Sequence, residues 1–149
     1  MAELMSLESH YFRFTPRIIL EKEGFVLADK GKEKYLATTQ FEASYARKVF
    51  PCFDQPNMKA TFSVTMKIPK NLEAISNMPI TKRELTDKHK IIKFDKTPTM
   101  STYLLYFGVG NFEFIKTKYK KIEIRVATTP GKSKQGRLAL DLTKKFLSY

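Results

Sequence analysis

One cysteine, Cys52, and two histidines, His10 and His89, are all that the 149-residue chain offers in the way of thiol and imidazole. A lone cysteine excludes an intramolecular disulfide framework. Set between Pro51 and Phe53, Cys52 reads as a small apolar side chain ahead of a nucleophile, and this cysteine usage fits a reducing, cytoplasmic setting. No pair drawn from these three residues has metal-ligand spacing, so the sequence holds no donor set for a metal. Long apolar runs are missing too. Nothing approaches the length of a membrane span, and Met1 to His10 carries Glu3 and Glu8 without the basic start of a signal peptide, so no membrane partner is expected. Acidic residues are scarce, 15 against 27 basic, for a net charge of +12. The excess is spread along the chain, and no RRM, KH, zinc-finger or helix-turn-helix pattern occurs. Lys116, Lys118 and Lys120, at alternate positions, read as a solvated hairpin row, so only salt-sensitive, non-specific binding to nucleic acid is expected.

What is present is enough for a folded domain. At this length about 68 to 70% of the unfolded surface is buried on folding. The hydrophobic content of 42% is ordinary for a globular protein. Thr61 to Ile68 alternates, with Phe62, Val64, Met66 and Ile68 on one face and Thr61, Ser63, Thr65 and Lys67 on the other, the pattern of a half-buried strand. Further strands are expected at Ile18 to Leu20 and Phe25 to Leu27 around a Glu-Lys-Glu-Gly turn, then at Leu72 to Ser76, Lys90 to Phe94, Thr102 to Val109, Phe112 to Lys116 and Ile122 to Thr128. Pro69, Asn71, Pro79, Pro98 and Gly110 punctuate them. After Pro130 and Gly131, Lys132 to Tyr149 is helical in pattern. Leu138, Leu142 and Phe146 form one stripe, expected to pack on the core, with Lys144 and Lys145 on the solvent side. The fold class is therefore mainly β, an antiparallel β-sandwich or a curved open sheet with a C-terminal α-helix.

The most informative stretch is Thr38 to Phe62. Tyr35 to Glu42 reads as a strand, which sends Gln40 and Glu42 to one side and Phe41 to the other. Glu42 offers acceptors, and Gln40 offers an acceptor oxygen and two donors, a set suited to a primary ammonium such as a free peptide N-terminus. Spacing alone favours the plainer reading, two solvated polar residues flanking a packed Phe41, since alternating polar residues are what ordinary strands show.

The wider string carries a resemblance. Thr38-Thr39-Gln40-Phe41-Glu42-Ala43, Ala46-Arg47, Phe50-Pro51-Cys52-Phe53-Asp54, Pro56 and Lys59-Ala60-Thr61-Phe62 come first. Ile75-Ser76-Asn77-Met78-Pro79, Met100-Ser101-Thr102-Tyr103-Leu104-Leu105 and Gly108-Val109-Gly110-Asn111-Phe112-Glu113 follow in order. Together they resemble the zinc aminopeptidase family that includes aminopeptidase N, puromycin-sensitive aminopeptidase, the tricorn-interacting factors and leukotriene hydrolase, from about Tyr35 to Tyr149. The resemblance implies the second half of that family's N-terminal β domain, whose edge reaches into the cleft of a following catalytic domain. It also implies that Gln40 and Glu42 match the residues that bind the substrate's α-amino group. Zinc is implied for the full-length enzyme, but the His-Glu-x-x-His helix and the Gly-Ala-Met-Glu-Asn motif are absent, so this polypeptide alone is expected not to hydrolyse peptides. Many relatives carry glutamate where this chain has Gln55, which removes the residue that Arg47 would otherwise pair with; a helix-end arginine in water is as good a reading of Arg47.

The implied organisation is a divergent N-terminal segment with a hairpin over 1–34, a partial aminopeptidase-like β domain over 35–129, and over 130–149 a helix resembling the start of the catalytic domain. Met1 to Lys34 is too short to supply every strand of a complete domain, so an uncovered sheet edge and self-association are expected. Two functions remain. One is the amine-recognising N-terminal portion of a zinc aminopeptidase, with peptide N-termini and a separate or missing catalytic domain as partners. The other is a stand-alone, non-catalytic module that binds a peptide or protein.

Overall fold

β5 (Ser63–Pro69) links sequence to packing most directly. Val64, Met66 and Ile68, with Phe62 just before them, are 2% exposed or less, while Ser63, Thr65 and Lys67 between them are half-buried. Burying each large side chain of this kind contributes about 1.5 to 3 kcal/mol. In the computed structural model, residues 36–149 are described throughout. Before them, the backbone of β1 (Glu3–Glu8), β2 (Arg13–Phe14) and β3 (Phe25–Leu27) is described. The strand expected at Ile18 to Leu20, and most of the expected N-terminal hairpin, lie outside the described residues.

β7 (Ile80–Leu85) and β8 (His89–Phe94) complete a five-stranded antiparallel sheet in the order β2-β1-β5-β8-β7. β3, β4 (Leu36–Thr39), β9 (Phe107–Gly110) and β6 (Glu73–Ser76) form a four-stranded antiparallel sheet, β3-β4-β9-β6. The two sheets share one core. Val64, Met66, Ile68, Ile92 and Phe94 come from the first, Ala74 and Phe107 from the second, and Phe41, Phe50, Phe62 and Leu105 from the connecting segments. The protein is thus mainly β, with open antiparallel sheets and one C-terminal helix.

By internal contacts the chain divides into two compact units, Met1–Gly110 and Asn111–Tyr149. In the second, β10 (Glu113–Tyr119) pairs with β11 (Ile122–Thr128) through a two-residue turn in which Lys120 adopts φ 51°. The helix α1 (Gly136–Phe146) follows a short 3-10 turn at Ser133–Gln135.

Four expectations change here. Thr102 to Val109 is not one strand: Thr102–Leu104 is a 3-10 turn, closed by Leu105 N–H to Thr102 O at 3.0 Å, and β9 starts only at Phe107. β7 was not anticipated, because Thr81 to Leu85 are all exposed and an edge strand in water carries no apolar alternation. The row of alternate lysines is also shorter than expected, since β10 ends at Tyr119 and Lys120 lies in the turn. Finally, the stripe on α1 does not pack inward: Leu138 is 67% exposed and Phe146 72%. The helix instead buries Gly136 and Leu140. A Cβ at position 136 would lie 2.9 Å from Ile115 Cδ1 and 3.1 Å from Val126 Cγ1, so the missing side chain lets α1 approach the hairpin closely.

Gly136→Val should therefore cost about 1 to 3 kcal/mol by overpacking, more than the fraction of a kcal/mol it gains in helix propensity. Faster amide exchange in β10 and β11 is the expected sign, and unchanged exchange would show that the close approach is dispensable.

Glu73 of β6 ties the two sheets together. Lys90 of β8 donates to its Oε1, and Arg83 Nη1 of β7 donates to Oε2 at 3.1 Å. Burial alone would push this carboxyl up. The hydrogen bond and charge of Lys90, then those of Arg83, outweigh it and hold Glu73 below its usual value. A carboxyl lowered in the folded state adds stability above its unfolded pKa and loses it as pH falls through the folded one. Glu73→Gln is expected to flatten the acid limb of the stability profile below about pH 4. With 30% of the side chain exposed, the size is under about 1 kcal/mol. Urea midpoints of both proteins at neutral and acid pH check this; parallel profiles would count against it.

Candidate functional site

The site begins where β4 stops. Thr38 is the last residue of β4 paired to β9 through the backbone register. At Thr39, which is 5% exposed, the side chain takes over: its Oγ1 accepts from Phe107 N–H at 2.9 Å and donates to Phe107 O at 3.4 Å. The backbone beyond is released from the ladder, and the chain turns away at Gln40. The strand expected to run to Glu42 therefore ends at Thr39, and Glu42 opens a turn that leads into a 3-10 helix, Ala46–Lys48.

Gln40 and Glu42 are both exposed, and Phe41 between them is 0% exposed. The Phe41 ring meets Phe50 edge-on at 6.1 Å and Phe107 at 6.0 Å, contacts worth about 0.5 to 1.5 kcal/mol each beyond area. Anchoring Phe41 inward forces its neighbours outward. A local hydrogen bond then draws them together: Glu42 N–H donates to Gln40 Oε1 at 3.1 Å. Among the described residues, the Glu42 carboxylate has no hydrogen bond or ion pair. Gln40 keeps both amide hydrogens and one lone pair for another group. Tyr45 N–H donates to Phe41 O at 3.0 Å and closes the turn.

The same end of the four-stranded sheet is tied by Asn77, just after β6. Its Nδ2 donates to Leu104 O at 2.8 Å and its Oδ1 accepts from Tyr106 N–H at 2.8 Å. Ser76 Oγ donates to Tyr106 O at 2.8 Å, and Thr38 Oγ1 donates to Tyr106 Oη at 2.8 Å. These side chains fasten β4, β6 and the approach to β9 at the end from which Gln40 and Glu42 project.

Arg47 finds its partner next to the position considered from sequence. Its Nε lies 3.4 Å from Asp54 Oδ2, and its Nη2 donates to Asp54 O at 3.1 Å, while Gln55 is exposed. Cys52 is half-buried. Burial first, then the Asp54 charge, push its thiol up to about 11, against smaller opposing effects of the Asp54 backbone and Arg47. The thiolate needed for nucleophilic attack is scarce at neutral pH. Alkylation of native Cys52 near neutral pH should run about a hundredfold slower than that of a free cysteine, with the difference lost in denaturant. Equal rates with and without denaturant would refute the shift.

No group of three or more His, Cys, Asp or Glu able to hold a metal occurs among the described residues. His89 lies on β8 and Cys52 in a loop, and they do not form the donor set that zinc requires. Among the described residues no helix is long and apolar enough to cross a membrane.

Fold and site define an antiparallel β domain that presents a carboxamide and an unpaired carboxylate side by side at one sheet end. Residues 12–104 match the Peptidase M1 N-terminal domain, and the chain belongs to that family of metallopeptidases. It is 43% identical over 145 residues to the puromycin-sensitive aminopeptidase of Caenorhabditis elegans, covering 93% of this chain and 15% of that protein. Identity is 52% over 116 residues to a probable aminopeptidase 2 of Sulfurisphaera tokodaii, covering 77% of this chain and 15% of the relative. With tricorn protease-interacting factor F2 of Thermoplasma volcanium it is 46% over 120 residues, covering 80% and 15%. The chain thus spans about 15% of the length of these relatives.

Proposed function

We propose that this chain is the part of a zinc aminopeptidase that recognises the substrate's free α-amino group, and that it has no peptidase activity by itself. The observation that carries the reading is the exposed Glu42 carboxylate next to Gln40, whose Oε1 accepts from the Glu42 backbone N–H at 3.1 Å. A primary ammonium placed there donates to the carboxylate and to the remaining lone pair of Gln40 Oε1, in charge-assisted hydrogen bonds roughly twice as strong as neutral ones. Zinc, which would polarise the scissile carbonyl and activate water, would take its ligands from a second polypeptide region, since no group of three or more His, Cys, Asp or Glu able to hold a metal occurs among the described residues. The exposed Leu138 and Phe146 of α1 leave apolar surface for such a region to cover.

The test is complementation. The chain is mixed with a separately expressed catalytic portion of an aminopeptidase of this family, and hydrolysis of a free-amino aminoacyl substrate is compared with its N-acetylated form. Activity in the mixture alone, confined to the free amine, is expected. Zinc-dependent turnover by the 149-residue chain alone, or failure of the two parts to associate, would refute the proposal. The same exposed α1 surface favours a second reading, a stand-alone module that binds another protein, which predicts binding without any gain of peptidase activity.

A further inference from the structure

Asp54 is the only buried charged side chain among the described residues, and the proposed amine chemistry does not use it. Its side chain is 0% exposed and its backbone sits at φ 52°, the left-handed region that most side chains avoid. A carboxylate so placed is costly unless it is paired and hydrogen-bonded. Here both oxygens are engaged. Oδ1 accepts from the Thr102 hydroxyl at 2.7 Å, and Oδ2 accepts from Arg47 N–H at 3.1 Å and Arg47 Nε at 3.4 Å.

The Arg47 N–H is one of the donors a helix start leaves without a partner, and no side chain caps this 3-10 helix at Tyr45. Asp54 fills that role from seven residues further along the chain. Between Phe41 and Ala46 the chain runs through Glu42, Ala43, Ser44 and Tyr45, all exposed, so no side-chain burial holds this turn. It is fixed at one end by Phe41 and at the other by the buried Ala46 together with the bond from Arg47 to Asp54.

We infer that Asp54, acting through Arg47, is a positioning residue that holds the turn carrying Glu42 against Gln40; the inference rests on the amine-site reading. Neutralising Asp54 removes the charged acceptor and loosens the far end of the turn, while Phe41 and Ala46 stay anchored in the core. The consequence is local, a loosened Glu42 on an intact sandwich.

The experiment uses the isotopically labelled full chain and amide exchange followed by NMR. Asp54→Asn is expected to speed exchange at Tyr45 about tenfold, the effect of replacing a charged acceptor by a neutral one. It should also shift the Gln40 side-chain amide and leave Met66, Ile68 and Ile92 unchanged. Unaltered exchange at Tyr45 overturns the inference, and so does equal acceleration in the core strands, which marks a role in global stability only. Should Asp54→Asn fail to fold, Asp54→Gly, which takes the backbone φ of 52° without strain and removes the acceptor of the Arg47 N–H, is judged by the same resonances and the same two outcomes. A parallel titration of the native chain with glycinamide and N-acetylglycinamide keeps the two readings apart. Shifts at Glu42 with neither probe weaken the amine site, while the exchange data still decide whether Asp54 holds the turn.

Discussion

Glu42→Ala is expected to lower kcat/KM for free-amino peptides by roughly 30-fold to several thousandfold in the assembled aminopeptidase. This corresponds to the about 2 to 5 kcal/mol lost when one partner of a buried, hydrogen-bonded charge pair is removed. The size depends on desolvation. Exposed, as Glu42 is in this structure, a carboxylate and an ammonium gain only about 0 to 1 kcal/mol from each other. Covered by a catalytic region, the same pair lies in a medium where each unmet charge is expensive. Stability of the isolated chain should move by less than about 0.5 kcal/mol, as for other surface substitutions. Comparing kcat/KM of both proteins on free and N-acetylated substrates checks the role. An unchanged value for the free amine would remove Glu42 from the site.

Phe41→Ala is expected to destabilise the domain by about 3 to 5 kcal/mol, a large share of the 5 to 15 kcal/mol typical of a whole domain. Phe41 is 0% exposed and meets Phe50 and Phe107 edge-on, so truncation opens a cavity bounded by rings that cannot collapse freely into it. The change also frees the carbonyl that accepts Tyr45 N–H to choose another direction, which should disorder the Glu42 turn before the sheets melt. Urea unfolding gives the cost, and a loss below about 1 kcal/mol would mean that the pocket refills. The two substitutions at adjacent positions are expected to have opposite profiles, one in activity with little effect on stability and one in stability.

The placement of the two candidate residues was legible to the extent that local chemistry makes it. Gln-Phe-Glu alternates polar and apolar residues, and the structure places Gln40 and Glu42 outward with Phe41 inward. The reason is a turn rather than the strand the alternation suggests. Thr39 ends the ladder with its own hydroxyl, a substitution of side chain for backbone that pattern reading does not detect. The partner of Arg47 is not legible in the sequence, because its bond to Asp54 depends on a loop folding back over seven residues. The α1 stripe shows the opposite error. Four-residue spacing marks which apolar side chains share a face, but the face that packs is chosen by the close approach at Gly136, which contributes no side chain to any pattern.

By itself the sequence determined the β character of the chain, the inward set of Phe62, Val64, Met66 and Ile68, the family and the two polar residues proposed for the site. All of these depend on residue type and on spacing along one strand or one short segment. The tertiary structure alone decided where β4 ends, that Asp54 is buried beside Arg47 and Thr102, that β7 adds an edge strand, and that α1 leaves its apolar stripe exposed. Apart from β7, which pairs with the next strand along the chain, these depend on partners more distant in sequence. A hydroxyl, a carboxylate or a missing Cβ takes its role from what the fold brings within about 3 Å of it, the range over which hydrogen bonds form.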